Sequence, residues 1–243
     1  MDVIEKEQLT SSEAKQHWYY QSKCALLESE LKKMPGLPEA PEVADLGCGV
    51  GLFLTMLAER KTFLASQLFG IDPAVREDVE AAKIGIRLSK SFDAEKTFDL
   101  ILMMDVLEHV ADDIGLVESA INHLRPGGYL FITVPALPIL WSNHDVFLGH
   151  FRRYTTRSLT RMLKRCADLT VLRDHYYFAS ILPAAGPIRI ARNFFKPTDK
   201  SDMGRVSPFL NSLLLILCKT ELKWSSSNKA AGLTVVAVCQ KVK

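Results

Sequence analysis

Residues 43–51 read Val-Ala-Asp-Leu-Gly-Cys-Gly-Val-Gly, and this stretch decides the fold. An apolar run breaks into alternating glycines, and the residues that follow are apolar with helical spacing as far as Ala58, so the pattern predicts a strand, a tight turn and a helix. Glycine permits positive φ and places no side chain at the turn. A ligand can therefore lie directly against the backbone where the helix begins, which predicts a nucleotide-cofactor site at the carboxyl end of a first strand.

The spacing of the glycines separates two cofactor classes. A dinucleotide fingerprint would place its third glycine at position 52, where the chain has Leu52. The turn instead reads acidic-x-Gly-x-Gly-x-Gly, and a carboxylate suits a cationic sulfonium ligand but repels a pyrophosphate. The stretch resembles motif I of the class I S-adenosylmethionine-dependent methyltransferases. This resemblance implies cofactor contacts from Asp45, Gly47, Cys48, Gly49 and Gly51.

Length and composition set the outer limits. With 243 residues, 48% of them hydrophobic, the chain suits one α/β domain with an extension. A net charge of +2 gives no sign of a nucleic-acid partner. Five scattered cysteines without a Cys-x-x-Cys pair predict a reduced, cytoplasmic setting and no structural zinc, and we predict no bound metal. Residues 1–6 do not resemble a secretory signal, and the apolar run 213–218 is too short to cross a bilayer.

The amino-terminal part predicts one helix over about residues 12–33, because Thr10 and Glu13 have the spacing of a capping box. Its first turns carry the aromatic cluster 17–20, His-Trp-Tyr-Tyr. Ordinary packing would explain such a cluster. Related methyltransferases, however, carry a similar cluster that covers the cofactor, which implies this role for Trp18.

A second strand, within residues 66–71, ends in Asp72-Pro73. In nucleotide-binding α/β folds an acid at this point accepts hydrogen bonds from the ribose hydroxyls, and the resemblance to methyltransferases implies this contact for Asp72 and a neighbouring one for Pro73. Asp72 could also cap a helix, with Pro73 as its first residue. A weak third strand is expected over 84–88, and the polar loop 89–97 is where an adenine ring would lie.

The most specific resemblance lies in residues 98–113, Phe-Asp-Leu-Ile-Leu-Met-Met-Asp-Val-Leu-Glu-His-Val-Ala-Asp-Asp. This stretch, a helix ending in Leu-Arg-Pro-Gly-Gly at 124–128 and a strand over 129–134 look like the fourth strand, helix and fifth strand of the same class. The resemblance implies a cofactor contact from Asp105. His109 is either a general base or a structural residue of the loop, and Glu108 is expected to cap or pair.

Residues 134–155 are dense in polar and aromatic side chains. Two prolines predict a loop without regular structure at the carboxyl edge of the sheet, where substrates bind. Adjacent guanidiniums suit phosphate or carboxylate groups, although a salt bridge from either arginine to Asp145 is the simpler explanation. The segment resembles one in a bacterial methyltransferase subfamily associated with polysaccharide or lipid-linked glycan assembly. The predicted acceptor contacts are Trp141, Asp145, Arg152, Arg153 and Tyr154.

The remaining chain predicts a helix over 156–166, a sixth strand over 169–175 and a last strand over 233–239. We therefore divide the chain into an amino-terminal helical cap (1–40), a cofactor-binding core (41–175 and 231–243) and an insertion (176–230). The insertion is rich in aromatic, aliphatic and basic residues. Such a surface suits a substrate cap, a peripheral contact with the inner face of the membrane, or the contact of a homodimer, so a monomer or a homodimer is expected.

These patterns together predict a Rossmann-like α/β fold whose seven-stranded, mostly parallel sheet ends in an antiparallel strand. The predicted activity is methylation, most plausibly at oxygen, of a small-molecule, glycan or lipid-linked acceptor that bears an anionic group. A hydroxyl acceptor would need a base, for which the candidates are His144, His150 and His109, in that order. The alternatives are an NAD-dependent oxidoreductase, a nucleic-acid methyltransferase, and a binding protein without catalysis.

Overall fold

The computed structural model describes residues 10–76, 79–192 and 204–242. Predictions about the start of the chain, and about Phe194, Phe195, Lys196 and Lys200 of the insertion, lie outside the described residues.

Seven strands form one sheet in the order β3-β2-β1-β4-β5-β7-β6. Only β7 among them runs antiparallel to its neighbours β5 and β6, while the other pairings are parallel. The predicted seven-stranded sheet with an antiparallel last strand is therefore confirmed. The strands are β1 (Val43–Leu46), β2 (Leu68–Ile71), β3 (Arg87–Ser89), β4 (Phe98–Met104), β5 (Leu124–Pro135), β6 (Leu169–Tyr177) and β7 (Thr234–Lys241).

Helices cover both faces of this sheet. One apolar core joins the sheet to the amino-terminal helices, the helix after the glycine turn and the last two helices, and a second core lies against the fifth and seventh helices. The α-helices are α1 (Ser11–Gln16), α2 (Trp18–Leu31), α3 (Leu52–Glu59), α4 (Glu80–Lys83), α5 (Asp113–Asn122), α6 (Asn143–Phe147), α7 (Thr156–Leu163), α8 (Leu182–Arg192) and α9 (Pro208–Glu221).

Strand β4 explains why its sequence is apolar without alternation. Leu100 and Leu102 point into the first core, whereas Ile101 and Met103 point into the second, and all four are fully buried. A parallel strand covered by helices on both faces needs apolar side chains on both.

The predicted amino-terminal helix is two helices, because the backbone breaks at His17. This residue is extended, with φ −68° and ψ 133°, and its ring accepts a hydrogen bond from the Tyr19 N–H at 3.4 Å, so it caps α2. The capping box of Thr10 and Glu13 is confirmed at the start of α1. The break turns the aromatic cluster that follows towards the sheet.

Three further local predictions were wrong. Helix α5 ends at Asn122, and the Leu-Arg-Pro-Gly-Gly segment is the start of β5, because Pro126 cannot donate within a helix. The loop after β5 contains α6, which begins beyond both prolines and is capped by Ser142 and Asp145. No helix begins at Pro73 within the described residues, where the chain forms a turn instead.

The third strand begins three residues later than the sequence suggested, because Ile84 ends α4 and Gly85 has a φ of +88°. The first, second, fourth, sixth and seventh strands and helices α3 and α7 begin within about two residues of their predicted positions, and α7 is capped at Thr155 as expected. Strand β5 begins at Leu124, five residues earlier than predicted, and no helix was predicted from the sequence where α8 and α9 lie. Helices in the described ranges all lack the length and apolarity needed to cross a membrane.

Candidate active site

A cavity of about 560 Å³ opens at the carboxyl ends of β1, β2 and β4. Parallel strands converge their carboxyl ends at one edge of a sheet, where the strand order reverses between β1 and β4, so the loops that follow them share one cleft. Helices α2 and α8, together with the segment around α6, enclose the cavity. Of the sequence-predicted residues, its wall includes Trp18, Gly47, Gly49, Asp72, Asp105, His109, His144, His150 and Arg153.

The three glycines of the turn have different functions. Gly47, Gly49 and Gly51 all have positive φ, between 54° and 79°. A Cβ on Gly47 would lie 2.5 Å from Val106 Cγ2, and one on Gly51 would lie 2.6 Å from the Ala81 Cβ. These two glycines are therefore required for packing within the protein, and Gly47 and Gly49 both lie on the cavity wall.

Asp72 fastens the turn to the end of β2. Its Oδ2 accepts the Gly49 N–H at 2.9 Å, and its Oδ1 accepts the Ala74 N–H at 2.8 Å. Asp72 therefore caps backbone N–H groups, although it does so in a turn and not at the start of a helix. Each carboxylate oxygen can accept a further hydrogen bond, so the ribose contact stays a prediction.

Four predicted cofactor residues lie off the cavity wall: Asp45, Cys48, Gly51 and Pro73. Asp45 is buried, and this burial raises its pKa to about 7. Burial likewise raises the pKa of the Cys48 thiol. Their positions indicate that Asp45 and Cys48 support the glycine turn from behind, and they give no support to direct contact with a ligand in this cavity.

Asp105 is held by two residues of α2. Its Oδ1 accepts from Lys23 Nζ at 2.8 Å and its Oδ2 from the Tyr19 hydroxyl at 2.7 Å. Lys23 is fully buried and also donates to Thr133 Oγ1 at 2.9 Å. Burial would raise the pKa of Asp105, but the charge and hydrogen bond of Lys23 outweigh it and bring the pKa below its usual value. Asp105 is therefore an ionised, fixed acceptor with a φ of +59°.

An aromatic wall lies opposite the glycine turn. The Trp18 ring meets Phe178 edge-on at 5.6 Å, and Tyr19 stacks on the same ring at 5.5 Å. The Trp18 N–H donates to Asn211 Oδ1 at 2.8 Å, which ties the start of α2 to α9. The aromatic cluster thus both packs and borders the cavity.

Three histidines lie at the other side of the cavity. His109 and His150 meet edge-on, with ring centroids 4.5 Å apart. His150 Nδ1 lies 2.9 Å from Asp145 Oδ1, and Asp145 also accepts from Arg153 Nε at 2.7 Å. Burial, together with the charge of Arg189, lowers the pKa of His144 to about 3. His144 is therefore neutral at physiological pH and a weak base, so the predicted order of candidate bases is not supported.

The predicted acceptor residues fall into two groups, one on the cavity wall and one away from it. Arg153 lies on the cavity wall but is buried and paired with Asp145. Arg152 pairs with Asp113 at 2.7 Å, and the Tyr154 hydroxyl donates to the same carboxylate at 2.8 Å. Trp141, Asp145, Arg152 and Tyr154 lie off the wall, which indicates that they support the site and do not touch an acceptor.

Glu108 is a further wall residue whose environment is unusual. It is 1% exposed, and neither carboxylate oxygen has a hydrogen-bond partner in the described part of the chain. Burial raises its pKa well above the ordinary range, and the charge of Asp105 adds to this effect.

Sequence reasoning missed Lys23, Tyr19, Phe178 and Arg189, all of which border or support the cavity. Lys23 had a detectable signal, since it lies one helical turn after Tyr19 and is the only charged residue between Trp18 and Leu27. Phe178 and Arg189 lie in the insertion, where no pattern distinguishes them from their neighbours.

The chemistry of the wall fits S-adenosylmethionine. Glycine backbone and Asp72 line the cavity, where a ribose can be bound, and aromatic rings line the same cavity. The ionised carboxylate of Asp105 favours a ligand with cationic groups.

A family model described as "Methyltransferase domain" matches residues 16–173, more than half of the chain. The ubiquinone biosynthesis O-methyltransferase of Nitrobacter winogradskyi is 36% identical over 98 residues, which cover 35% of this chain and 35% of that protein. Its counterpart in Methylocella silvestris is 36% identical over 104 residues, covering 38% and 39%. The chain thus spans little more than a third of the length of these curated relatives.

Solved structures share the fold. The plantazolicin methyltransferase BpumL, solved with a desmethyl substrate analogue and S-adenosylhomocysteine, aligns with a TM-score of 0.58 at 15% identity, over 96% of this chain and 86% of that one. A possible histamine N-methyltransferase of Thermotoga maritima aligns with a TM-score of 0.54 at 19% identity, over 99% and 98%. At this identity the likeness is evidence of the fold.

Proposed function

The chain belongs to the methyltransferase domain family, and we propose that it transfers a methyl group from S-adenosylmethionine to an oxygen of a small-molecule, glycan or lipid-linked acceptor that carries an anionic group. One observation carries this proposal. The glycine turn and Asp72 line the same cavity as His150 and two arginines, Arg153 and Arg189. A methyl donor and an acceptor can therefore lie side by side, and alignment of two bound reactants is the main contribution that such an enzyme makes.

On the donor side, S-adenosylmethionine supplies a methyl group bound to a sulfonium. Asp72 accepts hydrogen bonds from the ribose hydroxyls, and the Gly49 backbone allows close approach. Trp18 and Phe178 exclude water from the opposite wall. Asp105 stays ionised through Lys23 and attracts the positive charge of the donor.

On the acceptor side, His150 removes the proton of a hydroxyl. Asp145 fixes the ring through Nδ1 and leaves Nε2 for the acceptor, which is how a carboxylate orients a catalytic imidazole. Neutral His144 positions the acceptor. The names of the curated relatives as O-methyltransferases support an oxygen nucleophile.

The anionic group of the acceptor is bound by Arg189, with Arg153 behind it. Both lie on the cavity wall, and guanidinium groups suit phosphate or carboxylate oxygens. Arg152, proposed from the sequence for the same contact, instead holds Asp113 and the Ala111 carbonyl. A phosphate-linked or uronic-acid sugar is the acceptor class that we favour.

The alternatives have less support. An NAD-dependent oxidoreductase does not fit the family. A nucleic-acid methyltransferase would be expected to carry a basic surface, whereas the net charge is only +2. The polar groups on the acceptor side argue against a binding protein without catalysis.

We also propose that the insertion contacts the inner face of the membrane peripherally. Helices α8 and α9 expose large apolar side chains: Ile188, Phe209, Leu213 and Ile216. Basic residues such as Arg189 and Lys219 accompany them, as in surfaces that bind anionic lipid. Sedimentation with anionic vesicles tests this. A homodimer that buries the same face would instead appear as a doubled mass in light scattering.

The methyl donor is tested by calorimetry with S-adenosylmethionine and S-adenosylhomocysteine. Asp72→Ala should weaken both by roughly 1–3 kcal/mol through the lost hydrogen bonds. Transfer of a labelled methyl group to paired phosphorylated and neutral sugars then tests the acceptor. Arg189→Ala should raise KM for the phosphorylated sugar and leave the affinity for S-adenosylhomocysteine unchanged. Equal rates with both sugars would contradict the anionic acceptor.

A further inference from the structure

Glu108 occupies a position that a lone carboxylate tolerates poorly. It is 1% exposed, and both of its oxygens lack hydrogen-bond partners within the described residues. A buried carboxylate without partners loses its hydration and gains nothing in return, which costs several kcal/mol or more unless a proton or a cation compensates it. Glu108 lies on the wall of the cavity, next to space that a cation can enter.

Two histidines surround this carboxylate. Atoms of Glu108, His109 and His150 that can bind a metal all lie within 4.8 Å of one another. The two rings are nearly perpendicular, at 84°, and all three residues lie on the wall of the same cavity. Small side-chain rotations are sufficient to bring these atoms onto one ion, because metal–ligand distances of about 2 Å place ligand atoms somewhat over 3 Å apart.

Neighbouring residues hold His150 and Glu108 in place through hydrogen bonds. Asp145 Oδ1 lies 2.9 Å from His150 Nδ1, which leaves the opposite ring nitrogen for a metal, and metal-bound histidines almost always have such a partner. Asp145 is itself fixed by Arg153 at 2.7 Å and by the Ser142 N–H at 2.9 Å. The Phe151 N–H donates to the Glu108 carbonyl at 2.7 Å, which connects the segment bearing His150 to the one bearing Glu108.

We propose that Glu108, His109 and His150 bind a divalent transition-metal cation, with Zn²⁺ as the probe that suits them. Two imidazoles and one carboxylate favour such an ion over Mg²⁺ or Ca²⁺, which prefer oxygen ligands. Three protein ligands also leave at least one position open, as in sites where a metal meets a substrate. That position faces the acceptor side of the cavity.

The consequence for chemistry rests on the proposed function, whereas the binding of the ion does not. An ion at this place lowers the pKa of an acceptor hydroxyl and so takes over the task assigned above to His150 as a base. No metal was predicted from the sequence, because the chain lacks closely spaced cysteines and because His150 is distant from Glu108 and His109 along the chain.

The test is calorimetry of the full chain, freed of metal with a chelator and titrated with ZnCl₂. We expect one Zn²⁺ per chain and more than about tenfold weaker binding in Glu108→Gln and in His150→Asn. His144→Gln is the matched control, because it removes a histidine from the same cavity but outside the cluster, and its affinity for Zn²⁺ should equal that of the wild type. The five cysteines are all buried, so thiols of the folded chain compete little.

Two further measurements separate loss of the metal site from loss of the fold and from loss of the cofactor site. The melting temperature of metal-free Glu108→Gln should equal or exceed that of the wild type, because the substitution removes a buried carboxylate without partners. Affinity for S-adenosylhomocysteine, measured on the same samples, reports on the proposed function separately. Absence of Zn²⁺ binding, or equal binding by the wild type and Glu108→Gln, overturns the metal site even where S-adenosylhomocysteine binds normally.

Discussion

Gly49 is the glycine whose missing side chain matters directly to the cavity. Gly47 and Gly51 would collide with Val106 and Ala81 if they carried a Cβ, so their substitution is expected to disturb the fold itself. Gly49 lies on the wall, and its N–H is held by Asp72. Substitution at Gly49 therefore tests ligand approach at the wall itself.

We predict that Gly49→Val abolishes detectable binding of S-adenosylhomocysteine in calorimetry, because the side chain enters the space of the cofactor. Gly85→Val is the matched control. Gly85 also has a positive φ, of +88°, but an added Cβ would meet nothing within 4 Å, so the control carries the backbone cost without obstructing the cavity. Binding of full strength by Gly49→Val would show that the turn has been misinterpreted.

The histidines of the cavity differ in what they can do at neutral pH. The pKa of His144 is held near 3 by burial, whereas His150 has an acidic partner that orients its ring. We therefore predict that His150→Gln lowers turnover by roughly 10²–10⁴-fold. His144→Gln should change kcat much less than it changes KM for the acceptor. Single-turnover rates at saturating donor distinguish the two, and equal losses of kcat in both variants would contradict the assignment.

Helix α2 borders the site, and a buried ion pair joins it to the sheet beside the cavity. Lys23 is fully buried and reaches Asp105 at the end of β4. Such a pair adds little net stability when intact, but loss of one partner leaves a charge without compensation.

Lys23→Met should therefore lower the free energy of unfolding by about 2–4 kcal/mol, somewhat less than for a fully buried pair because Asp105 is partly exposed and keeps Tyr19. The double variant Lys23→Met, Asp105→Asn should recover part of this loss. Urea unfolding of the two variants checks the prediction. A double variant that is no more stable than Lys23→Met alone would contradict it.

At the scale of the whole molecule, pH should act through His175, near the carboxyl end of β6. This residue is fully buried, and neither ring nitrogen has a hydrogen-bond partner in the described ranges. Burial lowers its pKa to about 4, although the charge of Glu30 opposes the shift. The folded protein therefore keeps this imidazole neutral where the unfolded chain, with an ordinary pKa near 6.5, binds a proton.

Between pH 6.5 and pH 4 the unfolded state binds more protons than the folded state. The free energy of unfolding is therefore highest above pH 6.5 and decreases as pH falls towards 4. His175 should contribute a loss on the order of 2 kcal/mol between pH 7 and pH 5. Urea unfolding at both values should show a smaller difference for His175→Leu than for the wild type. The same pH dependence in both proteins would exclude His175 as its source.

Local sequence patterns determined the order of the elements and the donor side of the site. The glycine turn has few alternatives, because all three positions have positive φ and two of them, Gly47 and Gly51, leave no room for a Cβ. The apolar run of β4 predicted a strand buried on both faces, which the two cores confirm. The break at His17 was missed because a histidine can continue a helix as easily as it can cap one.

Only the tertiary structure decided which predicted residues meet. Asp45 and Cys48 belong to the right motif but do not line the cavity, because Asp45 is buried within β1 and Cys48 packs in the first apolar core. Arg152 and Arg153 are adjacent in sequence, yet one pairs with Asp113 and the other with Asp145. Lys23 reaches Asp105, and Glu108 reaches His150, across long stretches of chain. Such contacts depend on how α2 and the segment around α6 pack on the sheet, and local spacing contains no information about that packing.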